Sequence, residues 1–162
     1  MSIGAAPVQV HPDVAALQFL IGTWVGEGQG RYPTIAAFSY GEEVRFWHVG
    51  KPFLAYSQRT WALDDGRALH SEAGYWRPKP GGVIELVVAH PSGHVEVSEG
   101  TVAGTTVALT SRVIAATATA KEVAVLSRKL TVDGGLLRYT TAMEAVGVAI
   151  QEHLAGELRR TS

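Results

Sequence analysis

The sequence predicts an all-β fold, an antiparallel up-and-down barrel closed on itself behind one short N-terminal helix. Three observations carry that prediction. Glycines recur at every second position through Ile21-Gly22-Thr23-Trp24-Val25-Gly26-Glu27-Gly28-Gln29-Gly30. Eight further segments rich in Val, Thr, Tyr, Trp and Phe follow, separated by turn residues. The connections between them are short, which favours pairing of consecutive strands.

Pro12 to Leu20 places Val14, Leu17, Phe19 and Leu20 close to helical spacing, with Asp13 suited to a first turn, and predicts the helix. In the glycine run the even positions share one strand face, so that face is stripped of side chains apart from Trp24. Glycine weakens a strand interior, and such a run marks a sharp bend or a close approach by a backbone or a ligand. The following strands are Ala37 to Val49, Phe53 to Leu63, Leu69 to Trp76, Val83 to His90, His94 to Val102, Thr105 to Ile114, Glu122 to Leu130 and Leu136 to Val146. Turn signals such as Gly50-Lys51-Pro52, Asp64-Asp65-Gly66, Pro91-Ser92-Gly93 and Asp133-Gly134-Gly135 divide them.

Val83 to His90 is apolar at nearly every position, as when both faces are covered. His94 to Glu99 alternates valine with polar residues, as for a wall with one wet face. Ile150, Leu154 and Leu158 stand four apart and point to a short helical turn before a final strand. Nine or ten strands in an open sheet would leave two long edges. Closure removes them, and eight or more strands leave an interior that holds one small ligand. A β-sandwich is disfavoured because hairpin-length turns outnumber long crossovers.

The 162 residues suit one domain, read as a flexible tail over 1–11 and a barrel over 12–162. A net charge of −1 with no basic run argues against nucleic-acid binding. Apolar runs fall far short of the roughly 20 residues of a membrane helix. Met1 to Val10 does not read as a signal peptide, so a cytoplasmic location is the simplest expectation. The absence of cysteine excludes disulfides, thiolate ligands and cysteine nucleophiles. Any metal or cofactor must rest on His, carboxylate, Met or Tyr.

Among the six histidines, His11 lies in the tail, while His48 and His70 read as hydrogen-bonded wall residues. His90 and His94 flank a tight turn and could share a metal, but no third ligand stands nearby in sequence. His153 sits among apolar and small residues after the last long strand, where residue physics alone favours a structural role. Glu42-Glu43 and Asp64-Asp65 read as solvated charge rather than acid–base pairs, and the four tryptophans as core or rim. No phosphate loop and no nucleophile elbow is present.

Gly22, Trp24, Gly26 and Gly28 form a Gly-x-Trp-x-Gly-x-Gly motif that resembles the nitrobindins, a family of haem-binding β-barrels, in their actinobacterial form. Tyr32-Pro33-Thr34, Phe38-Ser39-Tyr40-Gly41-Glu42-Glu43-Val44, His48-Val49-Gly50-Lys51-Pro52, His70-Ser71-Glu72-Ala73-Gly74-Tyr75, Ala120-Lys121-Glu122-Val123 and Gln151-Glu152-His153-Leu154 resemble family segments in the same order. The likeness spans about residues 12 to 160. It implies a ten-stranded, calycin-like antiparallel barrel holding one haem b per chain. His153 matches the axial iron ligand, Thr34 a residue beside the haem, and Lys121 a lysine that meets a propionate. Two departures are Gly41, where relatives carry bulkier residues, and Gly147-Val148-Ala149-Ile150, which replaces a Pro-containing approach to the histidine.

The function implied is a peroxynitrite isomerase: ferric haem converts peroxynitrite to nitrate and also binds nitric oxide. No catalytic side chain beyond the haem iron is implied. With Met143 the only internal thioether, the sixth iron position is expected to be empty or water-filled. The resemblance admits a homodimer and implies neither nucleic acid nor membrane as partner. The glycine-stripped strand beside Tyr32-Pro33-Thr34 also reads as a wall that a flat macrocycle approaches closely. Two other readings stay open, a carrier of a small apolar ligand and a nitric oxide sensor or store. In the carrier, Arg159 or Arg160 of the last strand packs on Trp24, and His153 is structural.

Overall fold

A computed structural model describes residues 7–162; the part of the expected tail over 1–6 lies outside the described residues. Ten strands follow one 3₁₀ helix at Pro12–Leu20. They are β1 (Gly22–Tyr32), β2 (Ile35–Trp47), β3 (Leu54–Ala62), β4 (Ala68–Lys79), β5 (Val83–His90), β6 (His94–Ala103), β7 (Thr106–Ala116), β8 (Val123–Asp133), β9 (Leu136–Ala145) and β10 (Val148–Arg160). Each pairs antiparallel with its sequence neighbours, and β1 pairs with β10 to close the barrel. Closure leaves no free edge, as the short connections predicted.

The helix buries Val14, Leu17 and Leu20, a spacing of three that lies on one face at three residues per turn. Pro12 starts it and the His11 Nδ1 accepts from the Asp13 amide at 3.2 Å. Each of the three buried side chains contributes about 1.5–3 kcal/mol by leaving water. They plug one end of the barrel against Trp24, Phe46 and Trp76. Trp24 Nε1 donates to the Leu20 carbonyl at 2.9 Å. Arg160 lies over the Trp24 ring at 4.3 Å and donates to the carbonyls of Phe19 and Ile21. The Arg–Trp pair expected of the carrier reading is thus present, and it seals the plugged end.

Three local expectations are corrected. β10 runs as a strand without a helical turn: Leu154 and Leu158 face inward, and Ile150 is exposed on the outer side. β5 buries Ile84, Leu86 and Val88, but Val83 and Val87 are exposed on its outer face, so only one side is covered. In β6 the sides are reversed: His94, Glu96 and Ser98 are buried inside and Val95 faces out. The barrel is therefore apolar at its plugged end and polar across its middle.

The glycine run lies where expected, but its bare face is filled by aromatic rings from the neighbouring strand, not left open for a macrocycle. Gly28 pairs with Tyr40 and Gly30 with Phe38, and a Cβ at Gly28 would come within 2.4 Å of the Tyr40 ring. Gly156 and Tyr139 repeat this pairing between β10 and β9, and Gly41 and Trp61 between β2 and β3. Glycine here admits a flat ring across its strand.

Candidate functional site

A cavity of about 880 Å³ occupies the end opposite the helix. That volume lies in the upper range of cofactor sites, which run from roughly 300 to 1,000 Å³. Its mouth is ringed by the β3–β4, β5–β6 and β7–β8 connections, which contribute Asp64, Ser92 and Lys121 to its lining. Leu69, Val123, Leu126 and Met143 give it apolar walls.

His153 lines this cavity because β10 carries a β-bulge there. Glu152 pairs with Ala142 and Leu154 with Thr141, so His153 is an extra residue with no partner of its own. Strict alternation would send His153 and Leu154 to opposite sides. The bulge re-aims one of them, and both line the cavity. The His153 ring is then held on two sides. Its Nδ1 lies 3.0 Å from the Arg31 carbonyl oxygen, and the Tyr32 ring meets it edge-on at 5.4 Å. A carbonyl only accepts, so Nδ1 carries the proton, and in the neutral ring Nε2 keeps the lone pair. Tyr32 is itself fixed to β9, its hydroxyl accepting from the Ala145 amide at 2.9 Å and facing the Met143 and Ala145 carbonyls.

Lys121 stands at the mouth in the loop between β7 and β8 and lines the cavity. Its carbonyl oxygen is 2.6 Å from His94 Nε2, which ties that loop to β6. Thr34 occupies the two-residue turn between β1 and β2, exposed at the same end but outside the cavity lining. The fold thus brings His153 and Lys121 to one cavity and leaves Thr34 on the rim beside it.

The cavity floor carries side chains that the sequence reading missed. Arg128 donates to Glu72 Oε1 at 2.7 Å and grips Glu96 through two bonds of 2.6 and 3.0 Å. Tyr56 donates to Glu72 Oε1 at 2.7 Å and Ser98 to Glu96 Oε2 at 2.6 Å. Burial raises the pKa of both carboxylates, but Arg128 and the histidines outweigh it: Glu72 falls well below the ordinary value and Glu96 falls to about 2.

Glu42, expected as solvated charge, is buried beside them; only its neighbour Glu43 faces out, where it pairs with Arg59. Burial pushes Glu42 up to about 7, against hydrogen bonds from Tyr139 and Gln58. Tyr139 also meets Tyr40, hydroxyl to hydroxyl, at 2.6 Å. The one sequence signal for this floor was the polar half of the alternating strands, assigned to the wrong side.

A family model described as a THAP4-like, heme-binding beta-barrel domain matches residues 13–160. The peroxynitrite isomerase 2 of Mycobacterium avium is 51% identical over 158 residues, covering 95% of this chain and 98% of that protein. A protein of Arabidopsis thaliana named peroxynitrite isomerase Rv2717c is 46% identical over 147 residues, covering 90% and 87%. The crystal structure of Rv2717c from M. tuberculosis has a TM-score of 0.90 at 48% identity, covering 95% of this chain and 100% of that one. The ten-stranded barrel is thus the fold of a solved relative.

Proposed function

The chain belongs to the THAP4-like, haem-binding β-barrel family, and from that premise we propose that it holds one haem b on His153 and isomerises peroxynitrite to nitrate. The observation that carries the reading is the His153 ring itself. It lines a cavity of cofactor size, its Nδ1 proton is committed to the Arg31 carbonyl, and Nε2 keeps its lone pair. A ligating imidazole requires this arrangement, since the second nitrogen must be held by an acceptor to fix the tautomer.

Haem, when bound, would supply the iron centre at which peroxynitrite is isomerised and nitric oxide is bound. The chain's own residues hold and enclose it. The Arg31 carbonyl and the Tyr32 edge fix the ring plane of His153. Lys121 offers a cation at the mouth for a propionate. Leu126, Met143 and Leu154 line the cavity and would give a macrocycle apolar contact. Thr34 stands exposed on the rim at the same end of the barrel.

The test is peroxynitrite decay in the haem-loaded protein with nitrate and nitrite both quantified. The reading requires faster decay with nitrate as the dominant product. Decay no faster than with free haemin at the same concentration contradicts it. Nitric oxide would bind at the same iron, and its binding is read from the visible spectrum of the reduced, haem-loaded protein.

A further inference from the structure

His90 and His94 face each other across the β5–β6 hairpin, but their side chains part company. His94 is occupied by Ser92 and the Lys121 carbonyl. His90 turns toward β4, where His70 and Glu72 supply the two further ligands that the hairpin alone lacks. We propose that His70, Glu72 and His90 form a site for one divalent transition-metal ion of the zinc class, on the inner wall of the barrel and separate from His153.

The distances carry this. His70 Nε2 lies 3.2 Å from Glu72 Oε2, His90 Nδ1 lies 3.3 Å from that same oxygen, and the two ring nitrogens are 3.5 Å apart. Metal–ligand bonds of about 2.0–2.1 Å at tetrahedral angles separate ligand atoms by about 3.3–3.4 Å. The three donor atoms therefore form a nearly equilateral triangle of the size that a tetrahedral ion spans. A closed hydrogen-bond net predicts something shorter, since charge-assisted bonds run at about 2.7–2.9 Å. The same floor achieves 2.6 and 2.7 Å where Arg128 meets Glu96 and Glu72, so its backbone does not prevent tight contact.

The surroundings match the chemistry. His90 Nε2 is 3.1 Å from Glu96 Oε1, a carboxylate that orients the imidazole and leaves Nδ1 free to ligate. Glu72 divides its two oxygens: Oε1 takes Arg128 and Tyr56, and Oε2 faces both histidines. One guanidinium stands against two carboxylates, so the floor keeps room for a second cation. Two imidazoles and one carboxylate suit zinc better than the all-oxygen ions. All three residues line the cavity, so the fourth position is reached from it and takes water.

The test is zinc titration of the full-length, haem-free protein carrying His153→Ala, followed by calorimetry, with zinc-soaked crystals examined by anomalous scattering. Removing His153 keeps this result independent of the haem reading. The expected result is one zinc per chain, a single anomalous peak between the three donors, and an affinity loss of about 100-fold or more on adding His70→Ala. His70 is the most exposed ligand of the three, so its truncation is the mildest for the fold. Should His70→Ala nonetheless unfold the chain by circular dichroism, the position of the anomalous peak decides. No stoichiometric binding, unchanged affinity in folded His70→Ala, or a peak elsewhere overturns the site.

Discussion

His153 Nδ1 stands 3.0 Å from the backbone carbonyl of Arg31, across the seam where the last strand closes onto the first. The acceptor is a main-chain atom, so no substitution at Arg31 removes it, and the tautomer of His153 is written into the closure of the barrel. Nitrogen-15 NMR of the haem-free protein is expected to find His153 protonated at Nδ1. A ring protonated at Nε2 contradicts the arrangement.

The hairpin that leads into the His153 strand turns through Val146 and Gly147 at φ of 48° and 77°. Glycine adopts that region freely, but a β-branched residue does not. Val146→Asn supplies the residue that such a turn prefers. It is expected to raise the unfolding free energy by about 1 kcal/mol, the lower end of the cost of a left-handed residue. Urea denaturation measures this, and an unchanged or lower midpoint contradicts it.

Gly28 lies beneath the Tyr40 ring, and Tyr40 is held by Tyr139 at 2.6 Å. A methyl group at Gly28 must displace a ring that cannot swing freely. Gly28→Ala is expected to cost about 1–3 kcal/mol, as other overpacked cores do. The same urea titration checks it, and a loss within experimental error shows that the ring yields.

Glu42 gives a pH signature. Its carboxyl ionises at 4.5 in the ordinary case and, through burial, at about 7 in the fold. Between those values the folded state binds the extra proton, so its contribution to stability is complete below pH 4.5 and is lost as the pH rises to about 7. Glu42→Gln removes that loss. The stability of the variant relative to the parent is expected to climb by roughly 3 kcal/mol from pH 4.5 to 7, taking 1.36 kcal/mol per unit. A pH-independent difference between the two proteins contradicts it.

Strand order was legible because hairpin turns are local. Asp64-Asp65-Gly66, Pro91-Ser92-Gly93 and Asp133-Gly134-Gly135 each join two neighbours in the closed sheet. Which way a strand faces was less legible. In β6 the alternation of Val95 and Val97 with Glu96 and Ser98 was plain, but the polar side turned inward. Burial of Glu96 is offset by Arg128, arriving from β8, together with His90 and Ser98, and only the folded barrel brings these groups together.

The His153 bulge was hidden for a similar reason. A bulge is a mismatch between two strands, and Glu152-His153-Leu154 carries no glycine or proline to announce it. Motif resemblance named His153, Lys121 and Thr34; the cavity lining includes the first two, and Thr34 stands on the rim. His70 and His90 come from two strands and read separately, one as a wall histidine and the other as half of a turn, and Glu72 stands out only within a motif segment. Their convergence appears only once β4 and β5 are paired.

Haemin titration of the parent and of His153→Ala, followed at the Soret band, tests the central claim most directly. The parent is expected to saturate at one haemin per chain, and His153→Ala, still folded by circular dichroism, to lose the sharp stoichiometric endpoint and the spectrum of a histidine-ligated iron. An unchanged endpoint and spectrum in His153→Ala would mean that the haem ligand of this barrel is another residue.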